Sequence, residues 1–179
     1  MPRSAAALSR SEARALVQRL VDEINAVIAS GKPEAAMIAD FEEIFLRYAD
    51  TSYVAAYAMG VDARRASAAQ KRAFSDAFNT YVARKYGGRF REFIGGSLEV
   101  QGVTERNRFF EVSTTAYLRG EAPFEVTFHV SDRTGEDLFF NMYVEGVNML
   151  LSERTEIGAM LDRRGGDIDA MVRDLEAAL

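Results

Sequence analysis

The one side chain in this sequence that could serve as a neutral-pH general base is its single histidine, His129. Asp132 lies three residues on, and Ser113 and Ser131 are possible hydroxyls. A Ser-His-Asp arrangement, or a dehydratase or isomerase site pairing an imidazole with a carboxylate, would have to use them. Strand alternation sets His129 on the face opposite Phe128 and Val130, toward solvent or a helix. An inward His129 bonded to an acid would favour an enzyme; an outward one would not. Cysteine is absent, which excludes disulfides, thiolate nucleophiles and thiolate-held metals. One imidazole without a thiol makes no zinc set. Neither a dinucleotide-binding glycine fingerprint, a P-loop, a zincin helix nor a nucleophile elbow occurs. Carboxylates at Asp22-Glu23, Glu42-Glu43 and Asp167/Asp169 have the spacing of solvated helix faces and caps. Gly87-Gly88, Gly95-Gly96 and Gly165-Gly166 read as helix stops. The expectation is no catalytic residue, no cofactor and no metal.

The elements that must position any site fall into two regimes. In the first half apolar residues recur at helical spacing. Ser9 and Glu12 form a capping-box pattern ahead of Leu16, Leu20, Ile24, Val27 and Ile28. Gly31 and Pro33 separate this helix from one carrying Met37, Ile38, Phe41, Ile44, Phe45 and Tyr48. Asp50 caps a short helix ending near Gly60, and Ser67 with Gln70 opens another through Phe74, Phe78, Tyr81 and Val82. A helical piece follows over Arg89 to Ile94. The period then changes to two. Four strands are predicted, over Leu98–Val103, Arg108–Leu118, Phe124–Ser131 and Asp137–Val144, with Leu138, Phe140, Met142 and Val144 sharing a face in the last. Two helices close the chain, Gly146 to Arg164 and Ile168 to Leu179, the second capped by Asp167. Helices, then a strand meander, then helices describe an α+β fold. The predicted architecture is a curved four-stranded antiparallel sheet with helices packed on its concave face.

Size and charge narrow the partners. The 179 residues suit one domain over 1–179, with residues 1–8 expected to be flexible. A formal net charge of −5 argues against nucleic acid, and Lys32, Lys71 and Lys85 are the only lysines, so no basic cluster suits an anionic membrane. Nothing approaches 18 consecutive apolar residues, so no transmembrane span is expected. The opening MPRSAAALSRSEA has no apolar signal core, leaving a cytosolic chain or one that begins after a removed signal. With 48% apolar residues and many Phe and Met on the strands, the interior could be an ordinary core or a cavity for a large apolar ligand.

Two blocks carry a likeness. Tyr53-Val54-Ala55-Ala56-Tyr57-Ala58-Met59-Gly60, followed by Ala68, Ala69, Gln70, Phe74, Phe78, Tyr81, Val82, Tyr86 and Gly87, is the first. Asn141 to Met149 with Arg154-Thr155-Glu156-Ile157 is the second, and Ile168, Met171, Val172 and Leu175 follow it. In order and spacing they resemble the MlaC family, the toluene-tolerance auxiliary proteins, from about Glu12 to Leu179. The sequence departs from the family pattern where Asp137 replaces a Trp, Asn141 an Asp, Asn148 a Ser and Ile157 an aromatic, and Asp167 is an insertion. The resemblance implies a cystatin-like cone and a non-enzymatic, periplasmic phospholipid carrier whose signal peptide has been removed. Its implied partners are an outer-membrane lipoprotein complex and an inner-membrane ABC transporter complex of a Gram-negative cell, met transiently by a monomer. The implied role is maintenance of outer-membrane lipid asymmetry.

Acyl tails suit the composition. At roughly 0.8 kcal/mol per buried methylene, two long tails are worth on the order of 20 kcal/mol of gross transfer, so an apolar interior suffices without a polar constellation. The lipid-binding candidates are Val112, Thr114, Ala116, Val126, Phe128, Phe140, Met142 and Val144 on the sheet. Those on the helices are Ile38, Phe41, Phe45, Tyr53, Tyr57, Phe78 and Val82.

Overall fold

Two reciprocal capping boxes start the longest helices. The Ser9 hydroxyl accepts the Glu12 N–H while the Glu12 carboxylate accepts the Ser9 N–H, opening α1 (Arg10–Ile28). Ser67 and Gln70 do the same for α4 (Ala68–Arg89). Between them lie α2 (Glu34–Tyr48) and α3 (Thr51–Met59), the latter capped by the Asp50 side chain on the Tyr53 N–H. The computed structural model describes residues 7–179. Among them no helix is long and apolar enough to cross a membrane. Residues 1–6 of the segment expected to be flexible lie outside the described residues. Leu8, within that segment, is instead buried, and its N–H donates to Asp132 Oδ2 at 2.9 Å.

The predicted stop at Gly87-Gly88 is corrected: α4 runs on to Arg89 and passes into a 3₁₀ turn over Phe90–Phe93. A Cβ on Gly87 would stand 2.9 Å from the Glu42 backbone nitrogen. Glycine here serves a close crossing of α2 and α4, not a helix end.

The sheet is an antiparallel meander in the order β1 (Ser97–Arg106), β2 (Phe109–Tyr117), β3 (Phe124–Ser131), β4 (Leu138–Val144), β5 (Val147–Asn148). It is α+β as predicted, with five strands rather than four. The predicted helix start at Gly146 is replaced by a two-residue turn in which Glu145 and Gly146 both have positive φ (51° and 79°). That turn leads into β5, and only then does α5 (Met149–Arg163) begin, followed by α6 (Ile168–Ala177) with Asp167 as its cap. The buried stripe of α1 packs along β1, where Asn25 bonds both the N–H and the C=O of Leu98. Helices α3 and α5 sit against β4, whereas α2 and α4 pack chiefly on each other.

Strand β4 departs from simple alternation. Phe128 pairs with Met142 and His129 with Asn141, but Val130 pairs with Phe139, so Phe140 is an extra residue opposite β3. The reading that put Leu138, Phe140, Met142 and Val144 on one face is corrected by this bulge. Phe139 turns into the core, 5.5 Å from the Phe45 ring and 5.4 Å from Phe128. Phe140 turns to the other face, against Phe109, His129 and the ring of Tyr53.

Asn141 and Asn148 meet at the start of α5. Asn141 Nδ2 donates to Asn148 Oδ1 at 2.9 Å, and that oxygen also caps the Leu151 N–H. The Asn141 oxygen accepts the N–H groups of Met142 and Leu150. Asn141→Asp would set a carboxylate oxygen against the Asn148 carbonyl oxygen, with no proton between them. A serine hydroxyl at position 148 could donate to that carboxylate and still cap the helix. Asn141→Asp is therefore expected to cost about 1–3 kcal/mol in urea unfolding, and addition of Asn148→Ser to restore most of it.

Candidate functional site

Inside the curve of the sheet, the C-terminal turn of α4 and the 3₁₀ turn face β3 and β4 across a narrow cavity of about 60 Å³. Phe90 and Phe93, three residues apart on the tight turn, point the same way and supply one wall. Phe124, Val126, Met142 and Val144 supply the other. Thr114 sits on the same sheet face, fully buried, with its hydroxyl donating to the Val126 carbonyl at 2.6 Å. Its polar atom is thus spent on the backbone and the wall remains apolar. At the mouth stand Arg89, Glu92, Glu121 and Glu145.

Tyr86 also lines the cavity, and its hydroxyl donates to Glu153 Oε1 at 2.7 Å. Glu153, on α5, is fully buried and accepts from Lys85 Nζ at 2.7 Å. Lys85 bonds Glu156 as well, at 2.6 Å, and Tyr81 donates to the same side chain. Burial together with Glu153 raises the Tyr86 phenol. Burial together with Glu156 pushes Tyr81 up to about 12. For Lys85, burial lowers the ammonium pKa, but hydrogen bonds to Glu153 and Glu156 more than offset it and the net shift is upward. These hydrogen bonds fix α4 to α5 and hold the Tyr86 ring in the cavity wall.

The family model described as MlaC protein matches residues 16–177. The chain belongs to the MlaC family. A solved phospholipid-binding protein from Ralstonia solanacearum, in complex with a phospholipid, has the same fold: the TM-score is 0.77 at 19% sequence identity, over 92% of this chain and 95% of that one.

In this MlaC-family chain, three of the sequence-predicted residues line the cavity: Val126, Met142 and Val144. Val112, Thr114, Ala116 and Phe128 share their sheet face but lie deeper, in the core. Phe41 and Phe45 stand behind the wall, against Phe90 at 5.6 Å and Tyr86 at 6.2 Å. Phe78 and Val82 are buried within α4, and Ile38 is half-buried on α2. Tyr53 and Tyr57 turn elsewhere, beneath the guanidinium groups of Arg133 and Arg154. Phe140 lies on the opposite sheet face. Tyr86, Phe90, Phe93 and Phe124 line the cavity without being among the sequence-predicted residues; the three-residue Phe90–Phe93 spacing just after a helix is the signal that could have found two of them.

His129 lies on the outer sheet face, away from the cavity. Its ring is 4.8 Å from Phe109 and 5.0 Å from Tyr143, and its Nε2 is 3.5 Å from Glu111. Two of the other triad candidates are engaged elsewhere: Asp132 with Leu8, Ser113 with the Gly102 carbonyl. Burial lowers the imidazole pKa, opposed by Glu111 and reinforced by Arg106. The unfolded chain, with a pKa near 6.5, then takes up the proton first on acidification. This contribution to stability is present above about pH 6.5 and lost as pH falls from there toward the folded value. Chemical denaturation between pH 7.5 and 5.5 should show a stability loss that His129→Phe reduces.

Proposed function

We propose that the protein is a non-enzymatic phospholipid carrier of the periplasm. It shields acyl tails between the sheet and the α4 wall, and shuttles lipid between outer- and inner-membrane complexes in the maintenance of outer-membrane asymmetry. The observation that carries this reading is the apolar cavity between Phe90, Phe93 and the β3–β4 wall, closed over by a charged mouth, in a chain of the MlaC family. The likeness to a phospholipid complex supports the ligand class. His129 and Glu111 stand on the far side of the sheet, where they line a separate pocket, and not in the apolar cavity.

A cavity of about 60 Å³ is far below the roughly 300–1,000 Å³ of sites that enclose drug-sized ligands. Loading therefore requires the walls to part. The weaker seam runs between the sheet and the α4–3₁₀ wall, because α4 is secured to α2 at Gly87 and to α5 through Glu153.

Native mass spectrometry of protein purified from bacterial cells is expected to show a co-purified phospholipid mass. A clean protein mass, with no uptake from liposomes, would overturn the reading. Val144→Asp places a charge in the wall at a half-buried position, where a carboxylate can reach water. It should leave the fold intact by circular dichroism and reduce bound lipid at least tenfold.

A further inference from the structure

The charges at the cavity mouth come from separate elements. Arg89 ends α4, Glu92 lies in the 3₁₀ turn, Glu121 is in the β2–β3 connection and Glu145 is in the β4–β5 turn. All four are solvent-exposed. Among the described residues none of these side chains takes part in an ion pair. The more buried acidic groups, by contrast, do have cations: Asp50 has Arg133, Glu111 has Arg106, and Glu153 has Lys85. The mouth thus holds three uncompensated carboxylates and one guanidinium around the opening of an apolar cavity.

We propose that this mouth selects zwitterionic aminophospholipids, whose phosphate carries a protonated amine, over glycerophospholipids of net negative charge. The inference rests on the phospholipid-carrier reading. With the tails between Phe93 and Val144, the headgroup must lie at the rim. Its phosphate has Arg89 as a partner, and an ammonium group has Glu92, Glu121 and Glu145. A headgroup lacking the ammonium brings an unrelieved negative charge into a ring of fixed charge −2. The Glu145 position is set firmly, because its N–H donates to the Glu125 carbonyl at 3.1 Å in a turn whose positive φ values fix the backbone. Exposed charges act through water, so the discrimination is modest and depends on salt: on the order of fivefold at low ionic strength and close to none at high.

The test is a competition. The full chain is incubated with vesicles of equal phosphatidylethanolamine and phosphatidylglycerol at about 20 mM and 500 mM salt, and the bound lipids are extracted and quantified. The ratio of the two is read within each sample, so it does not depend on the total load. Expected are a roughly fivefold excess of phosphatidylethanolamine at low salt, near parity at high salt, and loss of the low-salt excess in Glu92→Gln/Glu121→Gln/Glu145→Gln. Equal uptake at low salt, a preference for phosphatidylglycerol, or a bias that survives either high salt or the triple substitution would overturn the proposal. Uptake of neither lipid would overturn the carrier reading itself, and this inference with it.

Discussion

Phe139→Ala is expected to remove about 3–5 kcal/mol of folding stability, read as a lower urea midpoint at unchanged slope. Phe139 is 2% exposed and makes edge-to-face contacts with both Phe45 and Phe128, so it joins α2 to the sheet. Its carbonyl also accepts the Asp50 N–H at 2.8 Å, tying the start of α3 to β4. Truncation would leave a void between elements held apart by other contacts, so the site cannot collapse cheaply. The neighbouring Phe140→Ala should cost clearly less, because that ring is only half-buried on the outer face. The pair of measurements reads the β4 bulge directly. Simple alternation makes Phe140 the core residue and predicts the reverse order, so a costlier Phe140→Ala would refute the bulged register.

The second large effect belongs to Lys85. Lys85→Met removes the cation facing Glu153, which is fully buried and has one carboxylate oxygen, Oε2, without any hydrogen-bond partner. Breaking a buried pair from one side typically costs 3–5 kcal/mol. Lys85 itself is about a third exposed and Tyr86 still donates to the carboxylate, so the lower end applies, about 3 kcal/mol. For a chain of this size that corresponds to roughly 6–12 °C in Tm. Lys85→Met/Glu153→Leu should recover most of the loss, since the double replacement leaves no buried charge. A double variant as unstable as Lys85→Met alone would show that the cost lies in packing around the lysine stem and not in the orphaned carboxylate.

Local signals in the sequence located most elements because their physics is local. Ser9 with Glu12, Ser67 with Gln70, and the caps at Asp50 and Asp167 all bond as their spacing implies. Alternation on β3 likewise sets Phe128 and Val130 on one buried face. What escaped depends on partners distant in the chain. The β4 bulge adds a residue without marking it, since Phe139 and Phe140 are the same residue type. The continuation of α4 through Gly87 is decided by the backbone of Glu42, not by helix propensity. Nothing local marks Glu153 as buried, because Lys85 and Tyr86 come to it from nearly seventy positions away. The apolar wall was legible as a strand face, but its opposite side was not. Phe90 and Phe93 acquire that role only once the 3₁₀ turn folds back over β3 and β4.

The bond between Asn141 and Asn148 bears on descent as well as stability. Each amide is suited to the other, and either acid-and-hydroxyl or paired amides satisfies the same helix start. A lineage moving between these two solutions one substitution at a time crosses an intermediate in which two oxygens face each other with no proton to share. The history of the two positions is therefore expected to be joint, with the pair replaced together or shielded by prior stabilisation elsewhere.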